Sequence, residues 1–221
     1  QRIDIGGGSA MVLANAPFGR GGAWNRDGSI IFAPTPGSAL LRVSATGGEP
    51  TAVTKISPPQ EVGHGVPHFL PDGRHFLYYV QGIPDARGVY IGELGGPGTK
   101  RLFDADAAAV YTPPGQLLFV RRGALFAQDF DPVQLALTGN PFPVADQVAV
   151  DTPAAALSAS ATGTIVYRAG LARAQGQFAW FSLSGKEISK VGDPGDDAAT
   201  SPSLSPDGRR VAISPMLNGN F

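Results

Sequence analysis

A turn that ends in glycine and runs at once into an apolar strand recurs five times along this chain. The copies are Asn25-Arg26-Asp27-Gly28 before Ile30-Ile31-Phe32, and Leu70-Pro71-Asp72-Gly73 before Phe76-Leu77-Tyr78. Then come Pro113-Pro114-Gly115 before Leu117-Leu118-Phe119, Ala161-Thr162-Gly163 before Ile165-Val166-Tyr167, and Ser205-Pro206-Asp207-Gly208 before Val211-Ala212-Ile213. Successive glycines lie 45, 42, 48 and 45 residues apart. So narrow a period means one supersecondary unit used repeatedly, each copy burying its faces against its neighbours.

The turn chemistry explains the spacing. Proline fixes φ near −65° at the second turn position. Aspartate accepts hydrogen bonds from nearby amides, and glycine takes the left-handed conformation that a side chain disfavours. Gly73 is therefore expected to resist substitution. Gly82, read as part of a longer loop between strands, is expected to tolerate it.

Each copy continues with a second apolar stretch, such as Leu40-Leu41-Arg42-Val43, Val89-Tyr90-Ile91, Leu125-Phe126-Ala127 or Phe178-Ala179-Trp180-Phe181. A fourth short strand closes it, near Val53, Leu102-Phe103, Val144 and Ile188 to Val191. Four antiparallel strands in about 45 residues make one propeller blade. The strands are apolar on both faces, as sheets covered on both sides must be.

The expected fold is thus an all-β, five-bladed β-propeller filling residues 1–221 as a single domain. Its blades are read as about 20–55, 61–104, 108–148 and 154–192, with a fifth assembled from 200–221 and 1–14. The C-terminal stretch supplies two strands. The N-terminal stretch supplies the other two, Ile3-Asp4-Ile5 and Met11-Val12-Leu13 across Gly6-Gly7-Gly8. Passing from Gly208 through the C-terminus to Gly28 spans 41 residues, close to the other intervals. A fragment of a larger ring is the alternative.

Composition narrows function. Gly 30 and Pro 20 punctuate the whole chain, as many short strands require. With 17 Lys+Arg against 18 Asp+Glu, net −1, no basic stripe suits a nucleic acid. No apolar run nears the roughly 20 residues that span a bilayer. Cysteine is absent, which excludes disulfides and thiol chemistry.

These turns resemble the TolB-like propeller repeat, marked by Ser-Pro-Asp-Gly-Arg before an apolar strand. Ser205-Pro206-Asp207-Gly208-Arg209 matches in full, and Leu70-Pro71-Asp72-Gly73-Arg74 matches with Leu for Ser. Gly21-Gly22-Ala23-Trp24, the segment Pro67 to Leu77, and Phe130-Asp131-Pro132 leading to Leu137-Thr138-Gly139 are similar to propellers attached to bacterial serine/threonine kinases. That resemblance implies a sensor or interaction domain, located outside the cytoplasm in the parent protein.

The candidate site residues are His64, His68 and Trp24, placed on the innermost strands near the channel. His64 and His68 are four apart, so a regular strand puts them on one face. The competing reading is a hydrogen-bonded lining for the histidines and blade packing for Trp24, as for Trp180 and Tyr78-Tyr79. No metal is expected, because further ligands are lacking near His64 and His68, and no cofactor. Asp193, Asp196 and Asp197 read as a solvated loop rather than a calcium loop. There is no Gly-x-Ser-x-Gly elbow, no Cys nucleophile and no kinase motif. The expected role is a non-enzymatic platform for an unidentified protein or peptide, with a small ligand or metal bound at the channel histidines as the alternative.

Overall fold

The computed structural model describes residues 1–3, 7–96, 98–160, 163–169, 176–182, 184–195, 200–205 and 211–214. Among them there are twenty strands and no helix. The chain divides into two compact units, residues 1–103 and 104–221.

The first unit holds two four-stranded antiparallel sheets, each running in chain order. One is β1 (Gly22–Trp24), β2 (Ser29–Phe32), β3 (Leu41–Ser44) and β4 (Thr51–Ala52). The other is β5 (Glu61–Phe69), β6 (His75–Gly82), β7 (Gly88–Glu93) and β8 (Thr99–Phe103). The second unit repeats the plan with β9 (Val110–Thr112), β10 (Gln116–Arg121), β11 (Ala124–Asp131) and β12 (Ala136–Ala145). A small hairpin follows, β13 (Val150–Asp151) with β14 (Ala154–Ala155). The fourth sheet is β15 (Leu157–Ala159), β16 (Thr164–Arg168), β17 (Gly176–Ser182) and β18 (Glu187–Gly195). Last comes one strand pair, β19 (Thr200–Leu204) with β20 (Val211–Ser214).

Four of the five repeats thus appear as four-stranded sheets and the fifth as a pair. Its turn, Pro206 to Arg209, lies outside the described residues, as do Asp4, Ile5 and Gly6 of the expected N-terminal strands, Ala161-Thr162 and Asp196-Asp197. Near the N-terminus, Arg2 and Met11 form an antiparallel bridge, exchanging backbone hydrogen bonds of 2.8 and 2.7 Å. The Arg2 guanidinium also donates to the Ala45 carbonyl at 2.8 Å.

The turns close as their glycines require. Gly73 has φ 70°. Its amide donates to Leu70 O at 2.9 Å, and Leu70 N donates to His75 O at 2.9 Å. Asp72 Oδ1 accepts from the amides of Arg74 and His75 at 3.0 and 2.9 Å. In the first copy that task moves to the first position, where Asn25 Oδ1 accepts from Asp27 N at 3.1 Å and Ser29 N at 2.8 Å. Asn25 Nδ2 then donates to Gly73 O at 2.7 Å, joining the turns of adjacent sheets.

Gly82 corrects its expectation. It ends β6 rather than sitting in an open loop. A Cβ there would lie 2.1 Å from Gln60 O, so no side chain fits without moving backbone.

Each unit has its own apolar core between consecutive sheets. Ile31, Ala33 and Leu40 pack with Phe76, Tyr78 and Val80 in the first. Leu118, Val120, Leu125 and Ala127 pack with Val148, Leu157, Ile165 and Tyr167 in the second. Leu117 to Val120 are all fully buried, which is why the strand reads as a continuous apolar run.

Candidate functional site

The three histidines lie in the second sheet, but the structure does not hold them as one group. β5 pairs His64 with Val80 and His68 with Leu77, and its register shifts between Gly65 and His68. Val80 and Leu77 are three apart on β6, and directly paired residues share a face. His64 and His68 therefore point to opposite faces, which corrects the shared face expected from a regular strand. The cause is a β-bulge in which Val66 and Pro67 together oppose Tyr78. Val66 sits at φ 48°, and its amide donates to Arg20 O at 2.7 Å.

His64 is 1% exposed. Its Nε2 lies 3.3 Å from Glu61 Oε2 and its Nδ1 lies 2.8 Å from Thr54 Oγ1. A carboxylate only accepts, so Nε2 carries the proton. Nδ1 of the neutral ring is then the acceptor, and the Thr54 hydroxyl donates to it. Thr54 Oγ1 in turn accepts from Leu40 N at 2.9 Å. Glu61 Oε2 also accepts from Ser57 N at 2.9 Å. Burial pushes His64 below the usual histidine range, against the opposing pull of the Glu61 carboxylate. The Tyr78 ring stands 5.1 Å away, and burial holds its hydroxyl protonated by raising it well above the usual tyrosine value.

Thr54, His64 and Glu61 follow the order of a nucleophile, a base and an orienting carboxylate. The geometry is nonetheless closed. Thr54 is buried and its oxygen already joins the Leu40 amide to the ring. What the arrangement does is fasten the connection between β4 and β5 to the loop before β3.

His75 stands elsewhere, at the start of β6. Its Nδ1 bonds Asp72, and its Nε2 lies 3.8 Å from Glu93 Oε1, which also pairs with Arg74. Burial by itself would raise the Asp72 carboxyl, but bonds from the His75 ring and from the His75 and Arg74 amides bring it below the usual range. Among the described residues, no group of three or more His, Asp or Glu side chains is placed to hold a metal. No helix among them is long and apolar enough to cross a membrane.

Trp24 ends β1 beside the Asn25 turn and is 55% exposed. It is not packed inside a blade, whereas Tyr78 and Tyr79 are buried. His68 is half-buried. At the opposite end of β2 lies a surface that sequence reasoning missed. Phe18 is 72%, Val62 58% and Ile83 46% exposed. Phe18 N donates to Pro34 O at 3.3 Å, and Ile83 N to Gln60 O at 2.9 Å. The Val62 carbonyl lies 3.6 Å from where a Gly37 Cβ would stand. These contacts tie the three to the 34–37 loop and the connection into β5. Pro36 and Pro59 are exposed there as well. No periodicity marks these residues, because each sits at a strand end or in a loop.

Comparison with solved structures places the fold. Regucalcin from Agrobacterium tumefaciens, described as a calcium-binding protein, aligns with TM-score 0.66 at 18% identity, over 92% of this chain and 70% of its own. A gluconolactonase from Xanthomonas campestris gives 0.67 at 13%, over 89% and 69%. TolB from Acinetobacter baumannii gives 0.62 at 21%, over 86% and 47%. The fold is that of the β-propellers, shared with TolB and with gluconolactonase-type proteins. No protein-family model matches the chain, and no curated protein does.

These neighbours correct one expectation. In the sequence, the lack of a recognised motif points away from an enzyme. Proteins named gluconolactonase nevertheless share this fold. A propeller can gather single residues from several blades into one site, so no contiguous motif need exist. Missing motifs therefore do not argue against catalysis in this fold.

Proposed function

We propose that this chain is a propeller that binds a protein or peptide partner through the exposed end built by Phe18, Val62 and Ile83. The observation that carries this is their joint exposure on a well-bonded framework. Apolar groups exposed at one end of a unit can serve as the centre of an interface on a soluble protein. The likeness of the sequence to kinase-attached propellers supports a sensor role outside the cytoplasm. Trp24 and His68 form a second candidate ligand-facing zone near the opposite end. We also propose that β19 and β20 are half of a fifth blade completed by residues 1–14, in one domain. The glycine intervals support that reading, and deletion of residues 1–14 tests it by predicting aggregation or a much lower Tm.

The test of the partner surface compares immobilised proteins. The triple variant Phe18→Ser, Val62→Thr, Ile83→Ser should lose a captured partner that the unaltered chain retains. Val133→Ser, at an 82% exposed residue of the second unit, should retain it. Equal capture by the triple variant contradicts the proposed surface. The fold shared with proteins named gluconolactonase favours a second reading, hydrolysis of a small lactone, tested by acid release from gluconolactone with and without calcium.

A further inference from the structure

The connection between β4 and β5 leads into Val62 of the exposed apolar end, and to its backbone bonds, Val53 N to Leu40 O and Glu61 N to Ser57 O, it adds a set of side-chain bonds. Thr54 bonds the Leu40 amide and the His64 ring. Glu61 bonds the other side of that ring and the Ser57 amide. The His64 amide donates to Ser38 O at 3.0 Å. One imidazole therefore bonds both ends of the 54–61 segment, while the His64 backbone amide ties the strand to the loop that carries Pro36. We propose that this segment is an acid-sensitive latch, opened by a proton on the buried His64 ring, that reshapes the partner-binding end.

The hydrogen-bond arithmetic drives the change. In the neutral ring every position is matched: Nε2–H donates to Glu61 and Nδ1 accepts from Thr54. A second proton turns Nδ1 into a donor. The Thr54 oxygen then faces two donors, the Leu40 amide and the ring, and its own hydroxyl proton loses its acceptor. The new charge sits in a site closed to water, where solvation is poor. The ionisable groups facing the ring are Glu61 from β5 and Tyr78 from β6. The 38–40 segment and the 54–57 connection present backbone groups and hydroxyls. Glu61 offsets part of the charge, and Tyr78 remains neutral throughout.

The proposal rests on the partner surface only for its consequence, so the decisive experiment uses the full chain without a partner. Amide exchange of residues 54–64 is measured against residues 116–131 in the same sample, which cancels the intrinsic pH dependence. The protection ratio should fall about fivefold or more between about pH 7.5 and about pH 5. In His64→Gln, whose side chain does not titrate, the ratio should be the same at both pH values. Should that variant fail to fold, Glu61→Gln provides the reading: without the offsetting carboxylate the closed-state ring is harder to protonate, so the fall should begin at the same pH but run deeper and continue to lower pH. A wild-type ratio that does not change, or a Glu61→Gln profile that coincides with the wild type, overturns the latch. Equal capture by the triple surface variant removes the binding surface instead and leaves the exchange result standing.

Discussion

The two units bury similar apolar cores but fasten their connecting segments by different means. In the second unit, the chain between β12 and β15 folds into the β13–β14 hairpin. Val148 N donates to Gly123 O at 2.9 Å, Ala149 N to Arg168 O at 2.9 Å, and Ala156 N to Ala149 O at 3.0 Å. Backbone closes on backbone. In the first unit, the connection from β4 to β5 has backbone bonds too, such as Glu61 N to Ser57 O, but adds a buried side-chain network of Thr54, Glu61 and His64 that the second unit's connection lacks among the described residues. Backbone pairing does not depend on pH over the range in which a histidine titrates, whereas a buried histidine network does. One repeat plan therefore yields a robust joint and a conditional one.

The largest expected effect tests how tightly the conditional joint is packed. Gly82→Val sets a side chain against the Gln60 carbonyl, at a spacing of 2.1 Å for Cβ alone. It should aggregate or melt far below the unaltered protein by circular dichroism. Gly123 in the second unit has φ 76° and nothing within 4 Å of a notional Cβ. Gly123→Asn should fold with a small loss, because Asn accepts the left-handed conformation. Similar losses in the two variants would break the contrast.

Thr54→Val comes next. It leaves the Leu40 amide and His64 Nδ1 without partners, at about 1–3 kcal/mol for each orphaned buried group. Thr152 lies in the second unit's connection, exposed, and donates to Asp106 O at 3.3 Å. Thr152→Val should cost less than about 0.5 kcal/mol in urea unfolding. If Thr54→Val is equally mild, the side-chain fastening is not structural.

The pH dependence is smaller and has a definite sign. His64 is lowered in the folded state, so the unfolded chain binds more protons as pH falls. Its contribution is complete above the unfolded value of about 6.5 and declines as pH drops from there toward the lower folded value. Urea midpoints of the unaltered chain should fall across that window, and His64→Gln should flatten the fall. A midpoint that rises on acidification there contradicts the assignment.

Much of the fold was legible because its turns impose requirements that side chains cannot meet. Gly28, Gly73 and Gly163 all sit at φ between 70 and 83°, and their spacing marks the repeat in the bare sequence. The four sheets of four strands follow from the same punctuation, whereas no such mark announces the β13–β14 hairpin. The site was less legible. A strand's two-residue period places His64 and His68 together, but Pro67 between them carries no ladder donor and is the local sign of a bulge. The bulge turns His68 to the other face, a consequence the two-residue period alone does not show. Nothing in sequence links Thr54 to His64 ten residues on, because the link arises only when the 54–61 segment folds back. Gly82 looked permissive because its constraint is the nearby Gln60 carbonyl rather than its own φ. Phe18, Val62 and Ile83 are ordinary apolar residues whose exposure is set by the ends of strands.

The most direct test of the account is the protonation of the histidine side chains, read by nitrogen NMR of the labelled chain across a pH titration. His64 should show a neutral ring with the proton on Nε2 and an accepting Nδ1 at neutral pH, and it should titrate below the ordinary histidine range. A proton on Nδ1, or titration at the ordinary value of about 6.5, would mean that His64 is not the closed pin of the β4–β5 connection and would contradict the account.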